Sequence, residues 1–174
     1  MLHVAGGVAR AEDPNQELVQ ISTINALIQG IYEGETSIGQ LLEHGSFGIG
    51  TINHLDGELL ALDGKAYQIT GSGKVNVLPA DAKTPFASVT HFQADTTTAG
   101  VSSKSMEQLQ RVIDDELPSE NLFYAVKITG NFPIMTVRSV ERQTPPYRPL
   151  TEVVKEQSLF AFKNTSGTLV GFRC

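Results

Sequence analysis

Two side chains in this sequence stand where acid–base or anion-binding chemistry is feasible. Glu58 follows an Asp56-Gly57 turn and precedes Leu59-Leu60. A carboxylate fixed beside apolar neighbours resists ionisation and can exchange protons with a bound molecule, although a solvent-facing strand charge looks the same in sequence. Arg138 lies inside the apolar run ITGNFPIMTVRSV. An arginine in such a run either faces water from one side of a sheet or enters a pocket, where its planar fork can hold a carboxylate bidentately. Residue pattern leaves both alternatives open at each position, and the solvated one is the more common.

Other chemistries find less support. His3, His44, His54 and His91 lie far apart, with neither the i,i+2 strand spacing nor the i,i+4 helix spacing that puts two imidazoles on one metal. Structural roles are expected for all four. The single cysteine, Cys174, leaves no internal disulfide framework and no cysteine-rich zinc site. Gly45, Gly48 and Gly50 do not open a helix after a strand as a dinucleotide-binding loop does, and no P-loop lysine follows them. A G-x-S-x-G nucleophile turn is also absent.

The elements that must position Glu58 and Arg138 are partly legible. The block from His44 to Gly64, HGSFGIGTINHLDGELLALDG, is dense in glycine and holds two Asp-Gly turns. ELLAL, Asp63-Gly64 and KAYQI form the strongest hairpin signal, because Asp-Gly supplies the positive φ angles of a type I′ turn. Upstream, LVQIS reads as a strand, and Ile24, Leu27, Ile28 and Ile31 recur at helical spacing. Thr36-Ser37 can cap a short helix carrying Ile38, Leu41 and Leu42 that ends at Gly45. Ser105-x-x-Gln108 has the form of a capping box, opening a helix with Met106, Leu109, Val112 and Ile113 on one face and Pro118 beyond its end. VNVL after the Gly71-Ser72-Gly73 turn, and FASVTHF, read as strands. Leu122–Ile128 and Ile134–Val140 read as a strand pair turning at Gly130-Asn131; SLFAF and TLVGF read as another, around residues 164–167.

Composition bounds the rest. With 40% hydrophobic and 18% charged residues the chain is globular, and 174 residues suffice for one domain or one domain and part of a second. The net charge of −6, with no run of three basic residues, argues against a nucleic-acid partner. The sequence contains neither a secretory signal nor an apolar stretch of bilayer-spanning length, so a soluble, cytoplasmic protein is expected. Expected organisation is α/β of mixed type. A loose leader over 1–16 precedes a sheet-rich domain with a mixed sheet and a few helices over 17–148. The Pro-rich connector near 145–150 then opens the first strands of an incomplete second domain over 149–174.

YEGETSIGQLLEHGSFGIGTINHLDGELLALDGKAYQI, then KTPFASVTHF, TVRSVERQTPPYRPL and NTSGTLVGFR, closely resemble the acetolactate decarboxylase family, in the same order from about residue 18 to the end. The H-G-x-x-G-x-G-T…L-D-G-E block is the specific part of the likeness; Ser46 departs from it, where the family commonly has Asp. The resemblance implies a homodimeric, metal-dependent carbon–carbon lyase that converts 2-acetolactate to acetoin and carbon dioxide with zinc held by three histidines. It places Glu58 and Arg138 on the family's active-site glutamate and arginine, and Thr51 on a threonine lining the same pocket. The family's zinc histidines belong to later G-Y-H-x-H and G-G-H segments, and a second acidic residue lies near its C-terminus. None of these has a counterpart here, so no metal ligand is assigned and this chain alone is expected to be inactive. The alternative is a non-catalytic binding or interaction module that kept the decarboxylase scaffold.

Overall fold

The computed structural model describes residues 2–8, 17–117 and 122–173. Its strands, in chain order, are β1 (Leu2–Val8), β2 (Val19–Ile21), β3 (Thr36–Ser37), β4 (Phe47–Thr51), β5 (Glu58–Leu62), β6 (Lys65–Ile69), β7 (Val75–Val77), β8 (Lys83–Thr84), β9 (Phe86–Thr90), β10 (Thr96–Val101), β11 (Tyr124–Ser139) and β12 (Ser158–Arg173). The helices are α1 (Ile24–Ile28), α2 (Ile38–His44), α3 (Met106–Glu116) and α4 (Leu150–Val153). One sheet runs β2-β9-β4-β5-β6-β7, a second runs β10-β1-β11-β12, and β3 pairs with β8. Every pairing among the described residues is antiparallel. The architecture is sheet-rich with few helices, as expected, but the sheet expected to be mixed is antiparallel throughout the described residues, and none of the described helices is long and apolar enough to cross a membrane.

The local signals around Glu58 explain the six-stranded sheet. Ser37 caps α2 reciprocally with Gln40, each side chain accepting from the other's backbone N–H. Ile38 and Leu41 of that helix then pack on Leu59, Ala61, Ala66, Ala87 and Val89. Asp63 (φ 51°) and Gly64 (φ 76°) turn β5 into β6 with the two positive φ values of the type I′ hairpin. Along β5, Leu59 and Ala61 are buried and Glu58, Leu60 and Leu62 are half-buried. Period-two alternation thus puts Glu58 on the face opposite the α2 core. Helix α3 forms where expected, with Ser105 Oγ accepting from Gln108 N–H at 3.2 Å, but the box is not reciprocal: the Gln108 side chain accepts from Lys104 N–H at 2.8 Å, and Met106 is exposed. It packs through Leu109 on Tyr124, Val126 and Ile128 of the second sheet. Pro118, expected beyond the helix, lies outside the described residues.

Two expectations about strands are corrected. Gly130-Asn131 and residues 164–167 are not hairpin turns. They lie inside two continuous sixteen-residue strands, β11 and β12, that pair with each other from Tyr124–Arg173 to Ser139–Ser158. The turn-forming residues face one another across the ladder, Gly130 opposite Gly167 and Asn131 opposite Ser166. A polar side-chain bond from Ser166 Oγ to Asn131 Oδ1 joins them. A long ladder satisfies more backbone groups than two short hairpins would, so tertiary pairing overrides local turn propensity. Residues 2–8, read as part of a loose leader, instead form β1 between β10 and β11. That strand exists through the two neighbours it pairs with.

Candidate active site

Glu58 begins β5 on a rung that crosses three strands, opposite Thr51 of β4 and Ile69 of β6. Each member of the rung is fixed by a hydroxyl. Thr51 Oγ1 donates to the Gly57 carbonyl at 2.6 Å, and Thr84 Oγ1 donates to the Thr51 carbonyl at 2.7 Å. Ser139 Oγ, from the other sheet, donates to the Ile69 carbonyl at 2.8 Å. The preceding turn is held by Gln68 Nε2, which donates to the Asp56 carbonyl at 2.8 Å, and by an Arg142–Asp56 ion pair at 3.2 Å. The acid therefore sits on a backbone with little freedom to move.

Gly57 makes that turn possible. Its φ is +76°, and a Cβ built there would lie 2.1 Å from the Ile69 carbonyl oxygen, on backbone that cannot yield. Gly57→Ala is expected to lower the unfolding free energy by roughly 2 kcal/mol or more, the scale of a non-glycine residue forced into left-handed backbone. Thermal denaturation checks this, and an unchanged Tm would show that the rung tolerates a side chain.

The Ser139 hydroxyl also settles where Arg138 stands, because it ties the end of β11 to the rung that carries Glu58. Glu58, Arg138 and Thr51 line one open pocket of about 770 Å³, within the size range of small-molecule sites. Its apolar walls come from Ile24 and Leu27 of α1, Ile49, Leu55, Phe86, Val140, Val170, and Leu150 and Val154 of the α4 segment. Burial pushes the Glu58 carboxyl upward from its ordinary value, and the Arg138 charge pulls it partly back. No ion pair among the described residues joins the two directly. Arg138 is exposed and Thr51 is buried, its hydroxyl already committed to Gly57. The arrangement offers a reluctant acid, a cation across from it and a wall that sheds water.

Of the histidines whose side chains are described, His44 and His91 are exposed. His54 Nδ1 lies 2.6 Å from the Tyr147 hydroxyl, which itself donates to Glu33, so His54 serves the loop ahead of Glu58. Among the described residues no three His, Cys, Asp or Glu side chains converge as a metal-ligating group. The described residues therefore offer no ligand set that fits a zinc ion. Two participants escaped the sequence reading: Ser139, whose hydroxyl aligns the sheets, and Gln157, which lines the pocket. Ser139 lies in the TVRSV segment, but its bond to Ile69 appears only once the two sheets are packed; Gln157 belongs to no motif and is found by the pocket it lines.

Fold and pocket together define a sheet-rich α/β protein with a small-molecule site of acid and cation character. A family model described as alpha-acetolactate decarboxylase matches residues 18–174. The alpha-acetolactate decarboxylase of Methanosarcina mazei is 51% identical over 156 residues, covering 90% of this chain and 54% of the relative. That of Klebsiella aerogenes is 44% identical over 163 residues, covering 94% of this chain and 63% of the relative. The crystal structure of alpha-acetolactate decarboxylase from Bacillus subtilis strain 168 superposes with a TM-score of 0.86 at 40% identity, over 89% of this chain and 66% of that one. The chain belongs to the alpha-acetolactate decarboxylase family. It spans between about half and two thirds of the length of these relatives.

Proposed function

We propose that the pocket holding Glu58 and Arg138 is the proton-handling and anion-binding part of an acetolactate decarboxylase site, acting on 2-acetolactate to give acetoin and carbon dioxide. The observation that carries this reading is the pair itself. A carboxyl raised by burial and a guanidinium share one apolar-walled pocket, in a chain whose named relatives are alpha-acetolactate decarboxylases.

The chemistry asks for those groups. Breaking the bond to the carboxylate releases carbon dioxide and leaves its electron pair on the adjacent carbon, shared with the ketone oxygen as an enediolate. A guanidinium facing that developing charge lowers the barrier, since fixed charges in a partly dehydrated site act more strongly than in water. A proton must then reach carbon. A carboxyl held protonated to higher pH than usual is suited to deliver it, and Glu58 fills that role. Thr51 acts through the backbone: its bond to Gly57 holds the turn that aims Glu58. The family resemblance implies zinc and a homodimer; the described residues supply no ligand set for the metal, and no step here is assigned to it.

Acetoin formation from racemic 2-acetolactate, measured with added zinc for this chain and for a fusion that appends the family's G-Y-H-x-H and G-G-H segments, tests the reading. Activity is expected in the fusion and at most a trace in this chain alone. Equal rates would mean that a metal site was missed in this chain. A fusion that releases no carbon dioxide would end the decarboxylase assignment.

A further inference from the structure

Gln157 is the remaining uncharged polar residue in the pocket lining besides Thr51, and Thr51 has spent its proton on Gly57. It is half-buried where a single 3-10 turn at Val154–Glu156 hands over to β12, with extended backbone at φ −66° and ψ 145°. The register locates it relative to the guanidinium. Arg138 pairs with Leu159, and Ser139 with Ser158 in the last rung. Gln157 stands one residue before that last rung, and it lines the same pocket as Arg138. Among the described residues its side-chain amide makes no hydrogen bond. A half-buried primary amide without a protein partner, between a cation and apolar walls, is set to bond to a ligand.

Resting on the decarboxylase reading, we propose that the Gln157 amide N–H holds the carboxylate of the incoming hydroxy keto acid, leaving Arg138 to face the oxygen that gains charge. A neutral donor is the better partner for that group. The carboxylate loses its charge as it leaves, and a cation bonded directly to it would stabilise the starting state more than the transition state. Gln157 thereby separates substrate from product: 2-acetolactate carries the carboxylate, and acetoin does not.

The experiment follows from that difference. Racemic 2-acetolactate and acetoin are titrated separately into the 174-residue chain, and their dissociation constants are read by ligand-observed NMR. In Gln157→Leu the constant for 2-acetolactate is expected to rise at least fivefold while that for acetoin stays put. Gln157→Glu, which sets a negative charge against the carboxylate, should weaken 2-acetolactate further, and it provides the same comparison should the leucine variant fold poorly. Three outcomes overturn the proposal: an unchanged constant for 2-acetolactate in both variants, equal weakening of both ligands, or no binding of 2-acetolactate to the unaltered chain. Carbon dioxide release by the fusion is a separate measurement, so losing Gln157 as the carboxylate contact and losing the decarboxylase reading are distinguishable.

Discussion

Glu58→Gln, made in the fusion with the family's zinc-histidine segments, is expected to lower kcat/KM for acetoin formation by about a hundredfold or more, the scale of losing a positioned general acid. Gln keeps the shape and the hydrogen-bonding reach but cannot give up a proton to carbon. The same substitution should stabilise the fold near neutral pH. Because burial raises the Glu58 carboxyl above its ordinary value, the folded state holds that proton more tightly than the unfolded chain does. Stability from this group is complete at acid pH and falls as pH climbs from the usual carboxylate range through the raised value. The Tm advantage of Glu58→Gln over the natural chain should therefore be small at acid pH and grow toward pH 7. A near-natural rate would move the proton donor elsewhere, and a Tm advantage largest at acid pH would contradict the sign of the shift.

Removal of Arg138 is the second large effect. Arg138→Ala is expected to cost roughly ten- to a hundredfold in kcat/KM, in keeping with loss of one fixed electrostatic contact to a developing anion. Arg138→Lys should recover part of that loss, since it restores the charge without the planar fork. Arg138 is exposed and forms none of the ion pairs among the described residues, so its Tm should change little. An alanine variant that turns over normally would remove Arg138 from the pocket's chemistry; one that unfolds early would make its role architectural.

What the sequence reveals is local. The Ser37 cap, the Asp63-Gly64 hairpin and helix α3 each depend on neighbours within a few residues and form where expected, although the reciprocal box appears at Ser37 and not at Ser105. Glu58 and Arg138 could be named because one motif and one apolar run surround them. Pattern alone could not decide between pocket and solvent, since that depends on a strand eighty residues away in sequence. The β11–β12 ladder reads as two hairpins because Gly130-Asn131 and residues 164–167 resemble turns until partner strands are present, and β1 reads as leader because its small residues carry no strand pattern of their own. Ser139 and Gln157 were invisible because a serine bonding a remote carbonyl leaves no periodic trace, and a lining amide leaves none either.

The Ile69 carbonyl takes the Ser139 hydroxyl and belongs to the rung of Glu58, so one oxygen couples two layers beside the pocket that Glu58 and Arg138 line. Sliding one layer over the other by even a fraction of an ångström is transmitted to the spacing between acid and cation. Pressure or mild denaturant that shears the layers should consequently blunt turnover well before far-ultraviolet dichroism reports any loss of structure.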